Sequence, residues 1–377
     1  MNILTIQADR SLAIISIEMK DIDQFGKQLI QWYIKNHRRL PWRETDNPYY
    51  IWVSEVMLQQ TRVKAVLPYY QKFLERFPDL RRLAQARLQS VLKMWEGMGY
   101  YARARHLHQA AKLVLKRYDG KIPDNWESFR DLPGVGEYIA SAVLSFAFNQ
   151  PYCVVDGNVK RVLARFFQID APVNRSASLK IFKEAAGRLM KPCRPGIFNQ
   201  AIMELGATIC RPRNPGCGSC PVQSLCSACQ SRKVATYPIR IPKKIIPEYH
   251  MAVGVILKNN RILIARRKRE GLLGGLWEFP GDKVKEKEDP RQACVRGIKE
   301  TVNLFVEIDS FITRIKYSFT HFKVVKDVFR CRHVFGEVEL NGPDDQFRWT
   351  TPRQIERYPF PKADHKVIRL IKGMNFS

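Results

Sequence analysis

LPGVGEYIASAVL, residues 132–144, with VDGNVKR, residues 155–161, close behind it, decides how the chain is read. Gly134 and Gly136 free the backbone for a tight turn opening the helix YIASAVLSFAF. Amide groups exposed at such a helix start make an anion site suited to a phosphate. Asp156 ends the apolar run YCVV and precedes a second helical pattern, NVKRVLARFF. Aspartate there is a good helix N-cap, and the same carboxylate can stabilise positive charge developing on a sugar. The two roles are compatible, because capping fixes the carboxylate's geometry. A glycine turn alone occurs in many helix–helix connections, so the rest of the chain must supply the context.

A chain of 377 residues is too long for one ordinary core and suggests two domains plus linkers. Lys and Arg number 63 against 36 Asp and Glu, a net charge of +27. That field favours polyphosphate partners, nucleic acid or an anionic membrane surface. No apolar run approaches the ~18 residues of a membrane span. In MNILTIQADRSLAIISIEMK, Asp9 and Arg10 interrupt a weak apolar run and no small-residue cleavage site follows, so no signal peptide is expected. Residues 1–20 read as an N-terminal extension, with Met19 an alternative start. The expected location is cytoplasmic and nucleoid-associated in a bacterium, nuclear in a eukaryote. Thiols stay reduced there, so the nine cysteines suggest metal ligation before disulfides.

From Asp21 to about Cys229, apolar residues recur at helical spacing in GKQLIQWYIKN, EVMLQQTRVKAVLPYYQKFLERF, SVLKMWEGM, ARARHLHQAAKLVLKRY and SLKIFKEAAGRLM. Breaks such as FPDL, YDGKIPD and NQPY separate them. An all-α domain over 21–229 is expected. Pro238, Pro242 and Pro247 punctuate a basic stretch read as a linker over 230–247. MAVGVILKNNRILIARRKR then gives two β-type runs around Asn259–Asn260, a hairpin signal. With the helical RQACVRGIKETVNL and the β-rich KYSFTHFKVVKDVFRCRHVF, it predicts an α+β domain over 248–377.

Cys210, Cys217, Cys220 and Cys226 stand in CRPRNPGCGSCPVQSLC, whose Pro and Gly let the chain wrap one metal centre, zinc or iron–sulphur. Following LPGVG and VDG, this array resembles the iron–sulphur loop of the endonuclease III superfamily of DNA glycosylases. The resemblance implies one four-iron four-sulphur cluster at 210–226 and a helix–hairpin–helix at LPGVG, with Leu132, Gly134 and Gly136 against DNA. Cys229, just outside the pattern, reads as a bystander with Cys153, Cys193, Cys294 and Cys331.

Glu55 lies in the apolar helical stretch YIWVSEVMLQQT. One reading is a first-turn glutamate favoured by the helix dipole. The other is an acid desolvated among Trp52, Val53, Val56, Met57 and Leu58, holding its proton near neutrality. A protonated acid facing an ionised one is the logic of glycoside cleavage: one protonates the leaving group and the other supports an oxocarbenium-like centre.

In bifunctional enzymes resembling endonuclease III, a lysine stands at the position of Tyr138 and forms a Schiff base with the sugar. A tyrosine cannot, which argues for base removal without strand cleavage. Lys160 is the nearest other amine, expected to give at most adventitious trapping. Tyr138, together with SEVMLQQTRV, GMGYYARAR, VDGNVKRVLAR and FNQAIMELGA, resembles adenine DNA glycosylases of the MutY type from about residue 25 onward. The resemblance implies flipping and excision of adenine mispaired with 8-oxoguanine, or with guanine, by a chain expected to act as a monomer on double-stranded DNA. It makes Glu55 the proton donor to adenine N7 and Asp156 the group that stabilises the oxocarbenium ion and positions water. Tyr138 and Asn158 would line the sugar site, with Lys160 near DNA. Gln60 would insert into the duplex and Tyr100 wedge beside the lesion. Arg38, Trp42 and Arg43 of NHRRLPWR, and Gln200, would shape the adenine pocket; packing is the ordinary role of such aromatics.

GGLWEFPG followed by RQACVRGIKETVNL resembles a Nudix-type domain. A pyrophosphatase of that type needs clustered carboxylates for magnesium. Gly297 and Thr301 stand where acids belong and Glu300 alone remains, so nucleotide hydrolysis is not expected. The resemblance instead makes Phe319, Thr320 and His321 a loop contacting 8-oxoguanine, with Thr320 keeping the hydroxyl of a more usual serine. By periodicity alone FTHF is a strand with alternating faces. The overall expectation is an all-α helix–hairpin–helix glycosylase domain with an iron–sulphur loop, plus an α+β Nudix-like domain.

Overall fold

The computed structural model describes residues 19–242, 245–268, 271–340 and 346–374. Most of the N-terminal extension expected over 1–20 lies outside them. The chain packs as two compact units: the described parts of 1–60 with 110–243, and 61–109 with the described parts of 244–377.

The first unit is helical. Its core gathers Phe25, Leu29, Phe166, Phe182, Phe198 and Leu205 from Met19–Asn36, Gly157–Phe166, Leu179–Met190 and Pro195–Thr208. Helix Pro48–Leu58 is apolar all round, buried from Ile51 to Met57, and held at its start by Pro48 and by Asn47, whose side chain accepts from the Tyr49 amide. Trp52 packs edge-on to Phe129 at 5.2 Å. This helix does not run on into residues 63–76: Gln60 adopts a left-handed backbone at φ 56° and a new helix begins at Val63. Helix Glu137–Phe148 ends at Asn149, also left-handed. Two glycines of Pro195–Thr208 set its distance to neighbours. A Cβ on Gly196 would sit 2.6 Å from the Ser145 carbonyl oxygen, and one on Gly206 would sit 2.7 Å from the Asn158 Cβ. Beyond the helices, the proline-punctuated stretch stays bound to this unit. Val173 donates to the Ile239 carbonyl, and the Asn174 side chain pairs with Ile241 through both its oxygen and its nitrogen.

The second unit holds a seven-stranded sheet. In sequence its strands are β1 Glu248–Lys258, β2 Arg261–Arg266, β3 Trp277–Glu278, β4 Gly281–Lys283, β5 Phe305–Ser318, β6 Lys323–Phe335 and β7 Gln346–Thr350. The order is β3-β2-β1-β6-β5, with β4 beside β1 and β7 beside β2; only β1 and β6 run parallel. The expected hairpin joins β1 and β2 through Asn259 and Asn260, both left-handed, as a two-residue turn needs. Strand alternation puts Ala252 and Ile256 with Cys294, Ile298 and Val302 of helix Pro290–Val302. Val253 and Val255 face the other way, with Phe360, Val367 and Ile371 near helix His365–Lys372. Residues 61–109 join this unit by specific bonds. Trp277 Nε1 donates to Gln89, the Phe360 amide to Glu96, and Tyr101 Oη to the Phe360 carbonyl. The all-α stretch expected over 21–229 is thus shared between the two units.

Candidate active site

Glu55 is the eighth residue of an eleven-residue helix, so the first-turn dipole reading fails. Its side chain is buried, 3% exposed, against helix Glu137–Phe148. Tyr138, the second residue of that helix, donates its phenol to Glu55 Oε2 at 2.8 Å. Burial raises the Glu55 pKa; Tyr138 and Arg43 oppose the rise and Asp156 adds to it, leaving a value of about 7. Asp156 begins helix Gly157–Phe166. Its Oδ1 accepts from the Val159 amide at 2.7 Å and its Oδ2 from Asn158 Nδ2 at 2.9 Å. Burial raises its pKa too, but these two donors and Arg161 hold against it. One carboxyl has a single phenol for company and the other several donors, so hydrogen bonding favours the charged form more at Asp156 than at Glu55.

Behind Asp156 runs a polar chain. Asn158 Oδ1 accepts from Arg161 Nη2 at 2.9 Å, which also donates to the Gly206 carbonyl, while Arg161 Nε donates to the Cys210 carbonyl at 2.8 Å. Arg161 is buried with its donors satisfied, and Gly206 lets the helix approach Asn158 closely enough for this. Lys160 points elsewhere, donating to the Val173 carbonyl. In the turn before Tyr138, Leu132 and Val135 are buried and the Val135 amide donates to the Leu132 carbonyl. Gly134 is left-handed at φ 75°. Gly136, at φ −77°, adopts a conformation open to any residue, so the turn requires only the first glycine.

Arg38, Trp42, Arg43 and Gln200 lie in the same unit, and the two arginines are joined by a residue the sequence reading passed over. Glu204, fully buried, accepts from Arg38 Nε and Nη2, each at 2.7 Å, from the Arg38 amide at 3.1 Å, and from Arg43 Nη2 at 2.8 Å. Burial would raise its pKa; the two arginines outweigh that and bring it down to about 2. Tyr33 Oη donates to Gln200 Oε1 at 2.6 Å, and the Arg43 guanidinium lies over the Tyr33 ring. An acid inside the apolar FNQAIMELGA, with the paired arginines of NHRRLPWR unmatched, was the available signal.

Cys210, Cys217, Cys220 and Cys226 line one cavity with Arg165. Cys229, read as a bystander, lines it too. Arg165, itself buried, holds Nη1 3.3 Å from Cys210 Sγ and satisfies its other donors on loop carbonyls. Five sulphurs, no carboxylate and a buried cation suit a soft, thiolate-bound iron or zinc centre. Among the described residues, no three Cys, His, Asp or Glu side chains already stand in metal-binding array.

In the second unit, FTHF is a turn and not a strand. The Phe319 amide donates to the Phe322 carbonyl, joining β5 to β6 with the exposed Thr320 and His321 at the tip. Phe319 is wedged between Tyr317 and Phe322. Thr320 Oγ1 lies 2.6 Å from the hydroxyl of Tyr100, whose left-handed backbone (φ 50°) and exposed ring (47%) stand beside the Arg103 guanidinium. On helix Pro290–Val302, Arg296 pairs with Glu300 of the same helix, with Glu288 just before it and with Asp282 of β4. A Cβ on Gly297 would lie 2.5 Å from the Asp282 amide nitrogen, so no acid fits there.

The helical unit with its buried acid, and the sheet unit, together define the class. Residues 53–186 match the HhH-GPD superfamily of base excision DNA repair proteins, and residues 252–370 match the NUDIX domain. The adenine DNA glycosylase of Homo sapiens is 32% identical, over 98% of this chain and 78% of its own. That of Buchnera aphidicola subsp. Baizongia pistaciae is 37% identical, over 93% of this chain and 97% of its own. A solved thermostable thymine-DNA glycosylase is similar to 56% of the chain, at 29% identity and a TM-score of 0.51, with 98% of that structure covered. The chain belongs to the adenine DNA glycosylase family. No helix among the described residues is long and apolar enough to cross a membrane.

Proposed function

We propose that this protein binds double-stranded DNA and hydrolyses the glycosidic bond of adenine mispaired with 8-oxoguanine, or with guanine, stopping at an abasic site. The observation that carries the reading is the trio Glu55–Tyr138–Asp156: a carboxyl poised at about 7, bonded to a phenol, near a carboxylate fixed by a helix cap. Glu55 gives its proton to adenine N7, the C1′–N9 bond breaks, and adenine leaves neutral. Asp156 stabilises the oxocarbenium ion and takes a proton from the water that adds to C1′. Tyr138 and Asn158 border the sugar. Tyr138 has no amine to form an imine, and Lys160 is turned to a backbone carbonyl.

Around this centre, Arg38, Trp42, Arg43 and Gln200 bind the flipped base. The turn of Leu132, Gly134 and Gly136 holds phosphate, with Lys160 close by, and Gln60 enters the duplex. Tyr100 wedges beside the lesion, and Phe319, Thr320 and His321 read 8-oxoguanine; the Tyr100–Thr320 hydroxyl pair supports assigning these to one task. Cys210, Cys217, Cys220 and Cys226 hold one four-iron four-sulphur cluster, which when bound ties the loop 210–226 into a single folded element. The protein acts as a monomer, in the cytoplasm of a bacterium or the nucleus of a eukaryote. Residues 21–229 are assigned the catalysis and 248–377 the reading, with 61–109 of the first stretch packing in the sheet unit, and Arg296 occupying the acids of the second stretch speaks against pyrophosphate hydrolysis.

Asp156→Asn keeps the cap and removes the charge. It is expected to bind the mispaired duplex with little change while adenine release falls by about 10³-fold or more. Unchanged release would remove Asp156 from the chemistry.

A further inference from the structure

We infer that Glu204 is a positioning residue of the active site: it clamps Arg38 and Arg43 and, by pairing Arg43, shields Glu55 from that guanidinium's charge. The inference rests on the adenine-excising reading, in which Glu55 must carry a proton. Four hydrogen bonds converge on this fully buried carboxylate, three from Arg38 and one from Arg43. Arg43 is itself only 10% exposed along its side chain, so water screens it poorly and its counter-ion is a protein group.

Arg43 also acts on Glu55, pulling its pKa down against burial. The charged and titratable groups facing Glu55 are Tyr138, Asp156 and Arg43; those facing Glu204 are Arg38, Arg43 and Tyr33. Only Arg43 belongs to both sets. Because the Glu204 pKa lies far below neutrality, its charge is constant across the working range and the shielding is permanent. Without Glu204, Arg43 keeps its full charge, Glu55 loses its proton at lower pH, and the general acid is spent sooner as pH rises.

The test follows the Glu55 carboxyl by isotope-edited infrared titration, assigned by its disappearance in Glu55→Gln, alongside single-turnover adenine release over the same pH range. Glu204→Gln is expected to move the Glu55 midpoint, and the alkaline limb of the rate, downward by about half a pH unit or more. Arg43→Gln is expected to move both upward, and the double variant to return them toward the wild-type position. A midpoint unmoved in Glu204→Gln overturns the inference; if that variant does not fold, an unmoved midpoint in Arg43→Gln does so. The titration needs no turnover. Shifted midpoints in a wild-type background that releases no adenine would leave the clamp standing and bring down the functional reading instead.

Discussion

Glu55 shows what a single residue gives up for its chemistry. Its pKa rises from 4.5 to about 7 because burial penalises the charged form. Between those values the folded state holds a proton that the unfolded chain has released, so stability falls as pH rises and the loss is complete above about pH 7. The full difference amounts to roughly 3 kcal/mol at about 1.4 kcal/mol per pH unit. Glu55→Gln keeps an acceptor for Tyr138 and has no charge to bury. Its gain in melting temperature over the wild type should be near zero at pH 4, grow through pH 7 and then level off. A gain constant across pH would mean the carboxyl titrates normally. The same substitution should abolish adenine release, because no proton remains to give. Glu55 could be picked out in the sequence because an acid stands alone among apolar neighbours. Glu204 stands in the same kind of setting yet was missed, since its partners lie more than 160 residues away and nothing local announces them.

At the scale of elements, local chemistry was readable and partnership was not. Asn259–Asn260 and Asp156 before Gly157 each mark a turn or cap that the structure contains. FTHF misled as a strand by periodicity alone, because the turn follows from where β5 and β6 run out of pairing partners and not from its own composition. Likewise, helical periodicity says which face of residues 63–94 is buried but not against what, and so it did not reveal that 61–109 packs with the sheet unit. Gly206 is an element-scale feature with a consequence for the site. Gly206→Ala would press a methyl onto Asn158 backbone and side-chain atoms, at 2.7 to 3.1 Å before relaxation. Neither neighbour is a flexible chain end, so the helices must part, at a cost of about 1–3 kcal/mol. The displaced Asn158 should then lower adenine release more than the stability loss explains, measured at a temperature where the variant is fully folded. Wild-type rates from a destabilised protein would show that Asn158 tolerates the shift.

For the molecule as a whole, a net charge of +27 gives the long-range attraction to DNA but no selectivity, which must come from particular side chains. The sequence matches link one chain to both a base-excision repair family and a NUDIX domain. In the second, Arg296 pairs with Glu288 and Glu300, and a Cβ on Gly297 would meet Asp282. The groups proposed to carry the chemistry are the buried acid, its phenol and the capped aspartate. In the proposed mechanism position 138 carries a phenol and no amine, so the reaction is expected to end with water. Single-turnover incubation with a duplex carrying adenine opposite 8-oxoguanine, with free adenine and strand scission followed in parallel, tests this most directly. The account requires adenine release with an intact strand until alkali is added. Scission without alkali, keeping pace with base loss, would contradict it.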